Sequence, residues 1–200
     1  MLNYSNIFDN EGLTYAKYRD LVDELLIAGK TTGPDHSEDM LHYTKMNVQR
    51  MKRVEKTVIL NEELLTAIHN VNQKFHFLVI TEGWCGDAAQ IVPVIDKIVS
   101  VAPDKFTLRL VLRDQNIPLI DAHLTNGGRS IPVLLVLNEN NEVVLPKWGP
   151  RPAILQSLLA EWKKEYTDQA KVAELLHGWY AKDKTQETQK ELIEVLKRLV

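Results

Sequence analysis

Three short apolar runs constrain this chain more than any other feature: Phe75–Ile80, Phe106–Leu112 and Ile131–Leu137. Each has the length and the β-branched or aromatic content of a buried strand, and turn residues bound each one. Ala88–Val101, between the first two, carries a helical pattern, and Ile117–Leu124 reads as a short helix stopped at Gly127-Gly128. Asn138–Asn141 is turn chemistry, and Glu142–Leu145 after it reads as a brief strand that closes a hairpin. Strands alternating with helices predict an α/β fold around a central sheet.

The flanks read as helical. Leu21, Val22, Leu25 and Leu26 recur at helical spacing before Gly29. A second helix is expected from Ser37, with Glu38 and Asp39 in its first turn, and a third over Asn61–Val71. Beyond Arg151, three apolar stripes follow: Ile154 to Trp162, Val172 to Trp179 and Leu192 to Leu199. The organisation expected is a helical extension over 1–73, an α/β domain over 74–165 and a helical extension over 166–200, together one compact unit. Ala181–Gln189 reads as a flexible link.

Composition removes several function classes. The longest apolar run, Ile131–Leu137, is far short of the about 20 residues a membrane helix needs. The first residues show no basic region followed by an apolar stretch, so no secretory leader is expected. A net charge of −3 gives no general attraction to nucleic acid or an acidic membrane. The basic cluster Lys45, Arg50, Lys52, Arg53 and Lys56 reads as a solvated helix face. The histidines show no metal-ligand spacing, and neither G-x-x-x-x-G-K-[ST] nor G-x-G-x-x-G occurs, so no metal or cofactor is expected. One cysteine, Cys85, cannot form an internal disulfide, and a cytoplasmic location is the expectation that follows.

Cys85 lies in Trp84-Cys85-Gly86-Asp87, where the first strand gives way to a helix. Helix N-termini favour a thiolate, the species that attacks a disulfide. The anions Glu82 and Asp87 oppose it. A modest lowering of the Cys85 pKa is the expected balance.

Trp84-Cys85-Gly86 resembles the opening of the thioredoxin motif W-C-G-P-C. The likeness extends to Pro93 within the following helix, to Asp114-Gln115-Asn116, to Gly128-Arg129-Ser130-Ile131-Pro132 before the third apolar run, and to Gly149. It covers about Phe75 to Trp162. The resemblance implies a thioredoxin-like fold with a four-stranded mixed sheet and helical N- and C-terminal extensions. It also implies a cis bond before Pro132, Cys85 as the attacking residue, and a substrate groove formed by Trp84, Gly86, Asp87, Ile131, Pro132 and Gly149. Trp148–Pro152 reads as the far wall of this groove, and Arg129 either attracts a carboxylate or a glutathione-like thiol there or, the commoner role, is a solvated loop residue.

The departures limit the mechanism. Ala88 replaces the second cysteine, and Val79 stands where thioredoxins carry a buried acid. Similar proteins of a bacterial thioredoxin-family branch carry W-C-G-D followed by a cysteine, and this chain looks like a monothiol variant. Two functions remain open. Cys85 could exchange with a thiol or disulfide protein substrate, with glutathione or another small thiol resolving the product. Alternatively the domain is a non-catalytic binding module that uses the groove beside Pro132.

Overall fold

In the computed structural model, which describes residues 2–200, the first apolar run becomes β1 (Phe75–Thr81), the centre of a three-stranded sheet ordered β2-β1-β3. β2 (Phe106–Leu112) runs parallel to it, pairing Val79 with Leu110. β3 (Val133–Leu137) runs antiparallel, pairing Val79 with Leu134. A central strand covered on both faces has no solvent side to alternate toward. Accordingly Leu78, Val79 and Ile80 are all fully buried.

The expected fourth strand is reduced to isolated bridges, Leu137 with Val143 and Leu134 with Trp148. Three steps along β3 thus face five along the returning segment. The extra residues fall around Pro146, which has no N–H to donate, so the ladder breaks there.

Among the described residues five α-helices precede or cross the sheet, α1 (Tyr4–Asn6), α2 (Tyr15–Ile27), α3 (Glu38–Thr57), α4 (Glu62–Asn70) and α5 (Gly86–Val101), with a π-helical segment, Ile7–Glu11, following α1. Leu13, just before α2, exchanges both backbone hydrogen bonds with Leu110 at 2.8 Å and so covers part of the outer edge of β2. α5 follows β1 and carries Pro93 within it, and its Ile91, Val92, Val94, Ile95 and Ile98 are fully buried. A short α6 (Ile117–Asp121) leads toward β3.

The chain ends in α7 (Ala153–Glu165), α8 (Gln169–Asp183) and α9 (Gln186–Lys197). The flexible link expected over Ala181–Gln189 is absent. Only Lys184 and Thr185 interrupt the helices, at φ 51° and 72°. The polar residues that suggested a link are docked. Gln189 has no exposed surface, donates to the Ile59 carbonyl (3.1 Å) and accepts from the Asn61 N–H (2.9 Å). α9 packs on α4, and its Leu192, Ile193 and Leu196 are buried. A single cluster of buried side chains runs from Ile7 to Leu199. Among the described residues no helix is long and apolar enough to cross a membrane.

Candidate functional site

β1 ends at Thr81, and the turn Glu82–Trp84 delivers Cys85 to the N-cap of α5. The Cys85 N–H donates to the Glu82 carbonyl (3.1 Å), and its Sγ accepts from the Ala88 N–H (3.5 Å). The thiol donates to the carbonyl of Ile131 (3.4 Å). The Ile131–Pro132 bond is cis, and both residues are buried. Gly149 lies against Pro132 at φ +112°, where a Cβ would overlap the Pro132 carbonyl oxygen. Only glycine suits that backbone and that contact. Sequence-separated Cys85, Ile131, Pro132 and Gly149 therefore meet at one place. Val79 lies six residues before Cys85, in the middle of β1, paired with Leu110 and Leu134.

Cys85 is 8% exposed, and the expected lowering of its pKa is overturned. Burial pushes the Cys85 thiol up to about 12, and the Asp87 carboxylate adds to the rise. The Ala88 N–H and the Arg151 guanidinium pull the other way and do not compensate. The helix N-terminus is present, but desolvation of the anion outweighs it.

Asp87 is held by groups that no sequence pattern singled out. Arg151 grips it with two nitrogens at 2.6 and 3.1 Å, and Tyr180 of α8 donates its hydroxyl at 2.7 Å. Arg151 also donates to Gln156 at 2.6 Å. Asp87 and Tyr180 are buried, so the carboxylate is committed inside the protein. His177, one turn earlier on α8, lies over Gly86. A Cβ on Gly86 would stand 2.6 Å from its ring. Burial and then Arg50 push His177 down to about 4, so the ring is uncharged at neutral pH. The C-terminal helix α8 therefore covers the start of α5. His177 and Tyr180 show only ordinary helical spacing in the sequence, with no signal of this placement.

The remaining predicted residues divide. Trp84 packs under Gly33, whose Cβ would come within 2.7 Å of the indole nitrogen, and the Arg113 guanidinium lies 4.6 Å above its ring. Glu82 is fully buried, accepting from the Thr32 hydroxyl and the Asp114 N–H. Burial raises its pKa against these two hydrogen bonds. Arg129 is engaged bidentately by Asp121 at 2.6 and 2.9 Å on the surface, so its charge is already paired. Trp148 donates its indole N–H to Glu191 of α9 (2.8 Å), and the same carboxylate accepts from the Ala153 N–H at the start of α7 (2.6 Å). This ties the Trp148–Pro152 loop to the C-terminal helices. The Gly149–Pro150 bond within it is also cis.

Comparison with known proteins agrees with this geometry. A family model described as thioredoxin matches residues 33–163, which is 131 of the 200 residues. No curated protein matches the chain significantly. A protein of unknown function from Pseudomonas aeruginosa, solved by crystallography, is similar over the whole of both chains, with a TM-score of 0.66 and 16% identity. An HIV epitope scaffold is similar over 94% of this chain and 99% of its own, with a TM-score of 0.55 and 15% identity. At these identities the two structures speak for the fold alone.

Proposed function

The chain belongs to the thioredoxin family and has its α/β fold, and from that premise we propose that it is a monothiol thiol–disulfide exchange protein acting through Cys85. The observation that carries the reading is the position of the thiol. It caps α5 and is hydrogen-bonded to the carbonyl of the residue before cis-Pro132, with Gly149 closing the same corner.

The chemistry follows from the single thiol. The Cys85 thiolate attacks one sulfur of a substrate disulfide; a protein–substrate disulfide forms and the second substrate sulfur leaves as a thiolate, which takes up a proton. An external small thiol such as glutathione then attacks the mixed disulfide. It returns Cys85 as the thiol and leaves with the substrate sulfur as a new disulfide. Ala88 supplies no second sulfur, so the exchange depends on that outside thiol. The substrate is a thiol or disulfide protein.

A second reading is favoured by a specific observation, the 8% exposure of Cys85, whose thiol pKa stands near 12. In it the domain binds a partner without using the sulfur. The two are separated by incubating the protein with glutathione disulfide near pH 8 and following its intact mass. One glutathione adduct is expected on the native chain, none on Cys85→Ser, and reversal on adding glutathione. An unmodified native chain after hours would sink the exchange reading and leave the binding module.

A further inference from the structure

Between the second half of α3, Gln90 of α5 and the C-terminal end of α8 is a cavity of about 420 Å³. Its walls include Arg53 and Thr57 of α3, Gln90 of α5, Tyr180 of α8, and the Lys184-Thr185 break. We propose that this cavity is a binding site for a small anionic molecule bearing a carboxylate or phosphate group.

The first argument is charge without a counter-charge. Of the eight arginines, Arg19, Arg113, Arg129 and Arg151 meet a carboxylate within ion-pair distance, and among the described residues Arg50, Arg53, Arg109 and Arg198 do not. Arg53 has only the neutral Gln90 oxygen, at 2.9 Å. Arg50, one turn earlier and half-buried, has only the Asn47 oxygen, at 2.6 Å. Lys184 completes the set from the opposite wall. Among the described residues none of these three is in an ion pair. Arg50 and Arg53 are close enough to oppose each other's charge and that of His177. Arg53 and Lys184 are solvent-exposed where they line the cavity, and half-buried Arg50 lies outside its lining, so an anion seated there would relieve repulsion between like charges.

The second argument is shape and hydrogen bonding. The volume lies in the range of small-molecule sites, about 300–1,000 Å³. A guanidinium presents a planar fork that matches an oxyanion, and Lys184 adds a point charge on the facing wall. Thr185 Oγ1 accepts from Gln189 (2.9 Å), which leaves its own O–H to donate. Val54 and Val58 add apolar wall for the body of a ligand. Arg53 is exposed, as the solvated helix face read from the sequence expects, and it also reaches across to Gln90 of α5 at the cavity wall. The site involves no sulfur and stands independently of exchange at Cys85.

The test is calorimetric titration of the full chain at low ionic strength with inorganic phosphate and, separately, with citrate. Sodium chloride at matched ionic strength is the control. Saturable binding at one site is expected for at least one of the two, unchanged in Cys85→Ser and Lys45→Gln. Arg53→Gln and Lys184→Gln should each weaken it at least tenfold. Binding of phosphate alone assigns phosphorylated ligands, and binding of citrate alone assigns carboxylates. No saturable heat with either anion, or equal weakening by Lys45→Gln, overturns the proposal.

Discussion

At the scale of single residues, Cys85 and Asp87 set each other's chemistry. The Cys85 thiol has a pKa near 12 in the folded chain, against an ordinary value of 9.0. Between those pH values the unfolded chain loses the proton and the folded chain keeps it. Stability is therefore full below pH 9 and falls as pH rises toward 12, by up to about 1.4 kcal/mol per pH unit. Cys85→Ser has no such proton. Urea unfolding of both chains from pH 7 to 11 should show the native chain losing its advantage over the variant by that slope; parallel pH profiles would refute it. Asp87→Ala acts differently. It leaves Arg151 largely buried without its carboxylate, and breaking a buried pair costs about 3–5 kcal/mol. The urea midpoint should drop accordingly, whereas Arg129→Ala, which breaks an exposed pair, should move it by less than about 1 kcal/mol. Cys85 and its motif were legible in the sequence because the N-cap of a helix after a strand is a local pattern. Arg151, Tyr180 and His177 were not, since their partners lie 64 to 93 residues away and nothing in local spacing records such meetings.

At the scale of elements, α8 decides whether the start of α5 is reachable. Gly86 permits the close approach because it has no side chain; any Cβ there would meet the His177 ring at 2.6 Å. Gly86→Ala should push α8 outward, with overpacking destabilising the chain by about 1–3 kcal/mol. Alkylation of Cys85 by iodoacetamide near pH 8 should accelerate at least tenfold. His177→Ala should accelerate it without the clash, and the double variant should regain the stability lost in Gly86→Ala. Unchanged labelling in His177→Ala would show that α8 is no barrier. The three strands and α5 could be read from the sequence because buried strands and an amphipathic helix leave continuous or periodic apolar patterns. The fourth strand could not be judged that way. Glu142–Leu145 has strand composition, but Pro146 breaks the ladder, and only the register against β3 reveals it. The Lys184-Thr185 break misled for the opposite reason. A polar segment reads as a link until Gln189 is seen fully buried on α4.

At the scale of the whole molecule, the C-terminal helices belong to the core as much as to the surface. The family likeness ends at residue 163, yet Leu192, Ile193 and Leu196 of α9 are 1–2% exposed, and Glu191 ties α9 to Trp148 and the start of α7. Burying three such side chains contributes about 5–9 kcal/mol. That is comparable to the entire net stability of a domain, about 5–15 kcal/mol. A chain ending at residue 165 also loses Tyr180 from Asp87 and Gln189 from Asn61, which leaves the face of α4 and the start of α5 uncovered. Such a chain should lack the near-ultraviolet circular dichroism of the 200-residue protein and show no cooperative unfolding in urea. A cooperative transition within about 2 kcal/mol of the full chain would mean that α8 and α9 are a detachable cover, and that the sheet with α3 to α7 holds itself together.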